Sequence, residues 1–234
     1  MRARRIAPAD VNAVMRPACL LILLLFSRLA AAVDVQLAEA QPVELHHELS
    51  LPASSTDKVV ALTLDACGGA FDADLARYLI ERQIAATIFA TRRWIRRNPE
   101  AVAMLTAHPE LFDVENHGAN HVPAIIGTAR QVYGLAGVAD LQQLKREVAG
   151  GADAVKAATG IAPRWYRGAT GEYDPAALKA IEAMGYSVAG FSVNADSGAT
   201  LNRAAIEERL RRVRDGDVVI AHMNKPASDS AEGL

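Results

Sequence analysis

The 234-residue chain predicts a parallel α/β fold. Two observations predict it: short, nearly continuous apolar runs alternate with helical patterns along the chain, and polar residues able to do chemistry recur where those runs end. The run Val59-Val60-Ala61-Leu62-Thr63-Leu64 has the pattern of a strand buried on both faces and ends at Asp65. A helix should follow, with Asp72 as N-cap and Leu75, Leu79 and Ile80 recurring on one side. Ala86 to Ala90 is the next strand, Asn98 to Ala107 the next helix and Leu111 to Glu115 a third strand. A long helix is expected between Asp140 and Thr159, weakened at Gly150-Gly151, because glycine costs a helix about 1 kcal/mol relative to alanine. Further strands are expected at Arg164 to Arg167, Val188 to Val193 and Asp217 to Ala221, separated by helices from Pro175 to Met184 and Arg203 to Arg214. Val122 to Val138 lacks a clear period and reads either as a rim loop with apolar content or as a partly helical excursion. A closed barrel and a doubly wound sheet both fit this alternation.

In either architecture ligands collect at the carboxyl ends of the strands. Asp65 ends the first strand, His117 follows the third, Arg167 the fourth, Asp196 the fifth and His222 the sixth. His117 and His121 in the segment H-G-A-N-H are four residues apart, so on one helical turn they would face the same way and could close on a metal ion.

Half of the residues (51%) are hydrophobic, enough for one core of domain size. The N-terminus carries Arg2, Arg4 and Arg5, an apolar run from Ala18 to Phe26, and the small residues Ala30, Ala31 and Ala32. That is the layout of a signal peptide over residues 1–32, and the run is shorter than the roughly 20 residues a bilayer span needs. Its removal takes five arginines and one aspartate from the 25 basic and 27 acidic side chains, leaving a net charge of about −6. An acidic, exported chain argues against a nucleic-acid partner and, once the signal is cleaved, against a stable membrane span. Cys67 would be the only cysteine left, so no internal disulfide can form. Residues 33–56 read as a flexible lead-in and 57–234 as the catalytic domain.

Five segments in this order resemble the polysaccharide deacetylases that carry a nodulation-protein-B homology domain, carbohydrate esterase family 4. They are Thr63-Leu64-Asp65-Ala66, His117-Gly118-Ala119-Asn120-His121, Arg167-Gly168-Ala169-Thr170-Gly171, Asn194-Ala195-Asp196 and Ile220-Ala221-His222. The resemblance implies a distorted parallel (β/α) barrel of about seven strands, incomplete at the C-terminus. It also implies a divalent metal, zinc being expected, held by His117 and His121, with a metal-bound water as nucleophile. Asp65 would be the general base, oriented by Arg167, and His222 the general acid, oriented by Asp196. The implied partner is an acetylated polysaccharide (peptidoglycan, a chitin-like polymer or an exopolysaccharide) met in the periplasm or outside the cell. A non-catalytic glycan-binding module and a small-molecule amidohydrolase are the alternative readings.

Two departures stand out. The family's second aspartate, normally a metal ligand, is Ala66 here, and the candidates for a third ligand are Asp65, Cys67, Asp72 and Asp74. Asp72 is better explained as a helix cap and Cys67 as a small buried filler. The tail from His222 to Leu234 resembles the start of a last helix, beyond which the family continues. His46, His47 and His108 are assigned no function.

Overall fold

The structure, a computed structural model, describes residues 41–51 and 58–234, all within the unit Ala40–Leu234. The signal peptide expected over residues 1–32 lies outside them. Among the described residues no helix is long and apolar enough to cross a membrane. The elements run β1 (Val43–Glu44), β2 (Ala61–Ala66), α1 (Ala73–Glu81), β3 (Ala86–Ala90), α2 (Arg92–Arg97), α3 (Pro99–Thr106) and β4 (Phe112–Asn116). The short strands β5 (Pro123–Ala124), β6 (Gln131–Val132) and β7 (Leu135–Ala136) come next, then α4 (Leu141–Thr159), β8 (Trp165–Tyr166), β9 (Ala169–Tyr173) and α5 (Pro175–Ala183). The chain continues through β10 (Ser187–Val188), β11 (Val193–Asn194), α6 (Arg203–Leu210), β12 (Val218–His222) and α7 (Ser230–Gly233).

Seven strands form one sheet in the order β10-β8-β4-β3-β2-β12-β11, with every neighbouring pair parallel. Its two edge strands, β10 and β11, are consecutive in the chain. In a flat sheet six spacings of about 4.8 Å would set the edges about 29 Å apart. The five Cα–Cα steps from Val188 to Val193 reach about 18 Å at most. The sheet therefore curls into an incomplete barrel, which decides between the two architectures. Residues 45–49 run along the closing segment: Phe191 N–H donates to Leu45 O (3.1 Å), His47 N–H to Phe191 O (3.2 Å) and Leu49 N–H to Gly216 O (2.7 Å). The described part of the lead-in is thus tied to the barrel, and His47 has a structural task, its Nδ1 accepting from Gly190 N–H at 3.0 Å.

Strand alternation sorts the side chains. Leu64 and Ala66 of β2, Ile88 and Ala90 of β3, and Val219 and Ala221 of β12 pack with Leu75, Leu79, Trp94 and Leu105 of the covering helices. Thr63, Asp65, Phe89, Ile220 and His222, at the intervening positions, face the inside of the curl. Both faces are buried, which is why these strands read as unbroken apolar runs.

Several expectations shift. The expected strand Val188 to Val193 is two strands on opposite edges, because its middle crosses the barrel's open side. Helix α2 was not expected: R-R-W-I-R-R holds only Trp94 and Ile95 as apolar residues, too short a stretch to show a period. Its N-cap Thr91 accepts from Trp94 N–H at 3.0 Å. Val122 to Val138 contains no helix; β5 joins a small sheet with β1 and β9, and β6 and β7 form a hairpin. The weakening expected in α4 is absent, since the helix is continuous through Gly150-Gly151. A Cβ on Gly151 would lie 2.2 Å from Asn116 Oδ1 and 2.6 Å from the Gly118 carbonyl carbon. The glycine lets α4 press against the loop that carries His117.

Helix propensity alone would make Gly151→Ala stabilising by about 1 kcal/mol. Overpacking against Asn116 and Gly118 should reverse the sign, lowering urea-unfolding stability by about 1–3 kcal/mol. A gain in stability would show that this contact is not close.

Candidate active site

The carboxyl rim gathers all six candidate residues. Asp65 lies one residue before the end of β2, His117 directly follows β4, Arg167 directly follows β8, Asp196 lies just past β11 and His222 ends β12. His117 and His121 do converge, with ring centroids 5.0 Å apart, but not on a helical turn. They sit on a loop that bends back through positive φ at Gly118 (83°) and His121 (64°). The loop is fixed from beneath: Asn116 Oδ1 accepts from Gly118 N–H (2.8 Å), and Glu147 Oε1 accepts from Asn120 N–H (2.7 Å). Glu147 is a positioning residue that the sequence reading missed. Its signal was a carboxylate on the apolar face of α4, between Leu144 and Val148.

His117 is buried, and its Nδ1 meets the Arg167 carbonyl oxygen at 2.7 Å. Donating from Nδ1 leaves the Nε2 lone pair to face the site, as a metal-ligating imidazole requires. Cys67 Sγ lies 3.4 Å from that Nε2, and Asp65 Oδ2 lies 3.6 Å from it. Burial disfavours the charged imidazole, but Asp65 and Cys67 outweigh it and raise the His117 pKa. The same field would favour a bound cation. Cys67, His117 and His121 bring their ligand atoms within 4.8 Å of one another, and so do Asp65, Cys67 and His222. These donors fit a small divalent cation.

Arg167 is fully buried. Its Nη1 donates to Asp65 Oδ1 and to Thr63 Oγ1, both at 2.9 Å, its Nη2 donates to Gly190 O at 3.1 Å, and its guanidinium lies 4.2 Å over the Phe89 ring. Burial pushes the Asp65 carboxyl up, yet the charges of His117, Arg167 and His222 bring it below the usual carboxylate range. For the Cys67 thiol, burial is likewise overcome by His117, leaving its pKa well below the ordinary value.

Opposite them, His222 Nδ1 meets Asp196 Oδ1 at 2.8 Å, while Asp196 Oδ2 accepts from His222 N–H and from Ser230 Oγ, each at 2.8 Å. Burial opposes the charged His222 ring; hydrogen bonds to Asp196 and Cys67, with the charges of Cys67 and Asp65, push its pKa up to about 10. Ser230, from α7, was not anticipated, and nothing in a lone serine of a polar tail marks it. A cavity of about 630 Å³ opens on this rim, lined by Asp65, Cys67, His121 and His222 and walled by Tyr133 and Leu135 of the β6–β7 hairpin. The rim-loop reading of Val122 to Val138 therefore agrees with the structure.

A family model described as polysaccharide deacetylase matches residues 53–189. The chain belongs to the polysaccharide deacetylase family. The matched stretch holds Asp65, His117, His121 and Arg167, while Asp196 and His222 lie beyond it. Among solved structures the chain is similar to a pseudoenzyme of the CE4 family from Bacillus anthracis (TM-score 0.63, 18% identity, covering 84% of this chain and 63% of that one). It is also similar to a family 4 carbohydrate esterase from Streptomyces lividans in complex with acetate (TM-score 0.61, 23% identity, 76% and 85% covered). A third is a peptidoglycan N-acetylglucosamine deacetylase bound to an N-hydroxybenzamide compound (TM-score 0.62, 18% identity, 80% and 82% covered). No curated protein matches the chain in sequence. At these identities the likeness is one of fold, and this chain spans about 63% of the length of the B. anthracis pseudoenzyme.

Arg167→Met would strand the Asp65 carboxylate in the interior and should cost about 3–5 kcal/mol in urea unfolding. The double variant Asp65→Asn/Arg167→Met should lose less than the two single losses combined. A loss below about 1 kcal/mol in Arg167→Met would contradict a buried charged pair.

Proposed function

We propose that this protein is an exported, metal-dependent hydrolase that removes acetyl groups from N-acetylated or O-acetylated polysaccharide in the periplasm or outside the cell. One observation carries the reading: the Asp65–Arg167 pair and the His222–Asp196 pair accompany a cluster of Cys67, His117 and His121, and Asp65, Cys67, His121 and His222 line a single cavity. A divalent cation held by His117 and His121, zinc being the expected one, would lower the pKa of a bound water towards about 7 and polarise the acetyl carbonyl.

This chain's own residues do the rest. Asp65, kept ionised and aimed by Arg167, takes the proton of the attacking water. His222, charged and oriented by Asp196, gives a proton to the departing amine nitrogen, without which the C–N bond could not break at neutral pH. Asp196 cannot turn away, since each of its oxygens is engaged. Tyr133 at the hairpin tip is largely exposed and offers a flat apolar face to a sugar ring.

Acetate release from chitin oligomers or peptidoglycan fragments, lost in a chelator and restored by zinc, tests the reading. Metal-loaded protein that frees no acetate from any acetylated glycan overturns it.

Asp65→Asn should lower kcat by about 10²–10⁴-fold while keeping its metal, whereas His117→Ala should lose both activity and metal. Equal metal loss in the two variants would make Asp65 a ligand.

A second reading, a glycan-binding module without turnover, is favoured by Ala66 alone. Glycan binding that survives both substitutions, with no hydrolysis by the unaltered protein, would establish it.

A further inference from the structure

We infer that Cys67 is the third protein ligand of the cation site, giving a Cys-His-His set with His117 and His121 that selects zinc. This rests on reading the chain as a metal-dependent hydrolase and adds the residue that completes its site.

Strand geometry makes the first argument. Side chains of β2 alternate, so Ala66 joins Leu64 in the helix-covered core and is fully buried there. Alternation carried one residue past the strand returns Cys67 to the side of Thr63 and Asp65, which faces the cavity. Ala66 carries no donor atom, whereas the thiol at 67 meets the histidines.

Distance makes the second. A tetrahedral zinc with bonds of about 2.3 Å to sulfur and about 2.05 Å to nitrogen sets those two ligand atoms about 3.6 Å apart. Cys67 Sγ and His117 Nε2 are 3.4 Å apart, and His121 completes a triangle with no edge above 4.8 Å.

The other candidates are already engaged. Asp72 accepts from Leu75 N–H at 3.0 Å as the cap of α1, Asp74 is exposed and paired with Arg77 at 2.7 Å, and Asp65 is held by Arg167. The Cys67 backbone is pinned as well, its carbonyl accepting from Thr91 Oγ1 (2.8 Å) and Arg93 Nη2 (3.3 Å). A soft thiolate among the donors disfavours magnesium, calcium and manganese.

Three measurements on the full mature chain test the assignment. X-ray absorption of the zinc-loaded protein should show one sulfur at about 2.3 Å. The cobalt(II) form should show a thiolate charge-transfer band that Cys67→Ser lacks. Loss of a group that only orients a ligand weakens metal binding 10–100-fold, so Cys67→Ser should weaken zinc by roughly 100-fold or more in a chelator competition. An unchanged melting temperature of the metal-free variant would confirm its fold, and the absorption measurement needs no variant.

A nitrogen- and oxygen-only shell overturns the assignment, as does zinc affinity in Cys67→Ser within threefold of the parent. So does an acetyl thioester on Cys67 trapped during turnover, which would make the thiol a nucleophile beside His117. Sulfur-ligated zinc in a protein that releases no acetate leaves the ligand assignment standing and defeats the deacetylase reading alone. Acetate release without a sulfur ligand does the opposite.

Discussion

A guanidinium buried inside a curled sheet is the constraint on which the rest of this structure depends. Arg167 spends its hydrogen bonds on Thr63 and Asp65 of β2 and on Gly190 of the segment that closes the barrel, and its own carbonyl meets His117. One residue thereby fixes the Asp65 carboxylate and the closure through its side chain, and the orientation of the His117 imidazole through its main-chain carbonyl. Moving such a charge out of water costs several kcal/mol, and a well-packed apolar pair of similar volume would often be as stable. Its place in the barrel is better explained by what it orients. Phe89 beneath the guanidinium and Tyr173, whose hydroxyl oxygen accepts from Gly168 N–H at 2.8 Å, keep the arginine loop from relaxing.

The closing segment shows what a one-dimensional pattern can and cannot carry. The runs at β2, β3 and β12 are legible because burial on both faces leaves few polar interruptions, and the rule that ligands gather at carboxyl ends then collects Asp65, His117, Arg167, Asp196 and His222 on one rim. Val188 to Val193 looked like one more such run. Its interruption at Ala189-Gly190 is marked by a single glycine and follows from a span: two edges of one sheet joined by too few residues to stay apart. Gly190 takes part in that closure, since a Cβ there would lie 2.2 Å from Leu45 O. The same holds for Gly151, which propensity scores as a defect and packing uses as clearance. Short-range rules price a glycine by its own helix, whereas its effect here is on a loop contributed by another strand.

Site residues divide along the same line. Those whose side chains can do chemistry are marked by type and position, while those that hold them are marked weakly: Glu147 as a carboxylate on an apolar helix face, Ser230 not at all. The histidine pair was found for a reason that did not hold. A helical turn would have aligned His117 and His121 by periodicity, but the loop aligns them through left-handed backbone at Gly118 and His121 and through the Glu147 carboxylate. The spacing was a correct sign of convergence with a different cause.

Comparing motifs by position has a further weakness at the candidate cation site. Matched letter by letter, Ala66 stands where a ligand is expected and the site looks degenerate. Matched by face, the donor-bearing neighbour of Asp65 is Cys67, because in this chain Ala66 belongs to the helix-covered core and Asp65 and Cys67 line the cavity. A thiolate at 67 would also settle the division of labour on β2. Asp65 would not be needed as a ligand, so its Oδ1 could stay on Arg167 while Oδ2 remains at the cavity floor to accept a proton. Base and ligand would then be two residues apart on the same face, separated by an alanine whose methyl group fills the core between them.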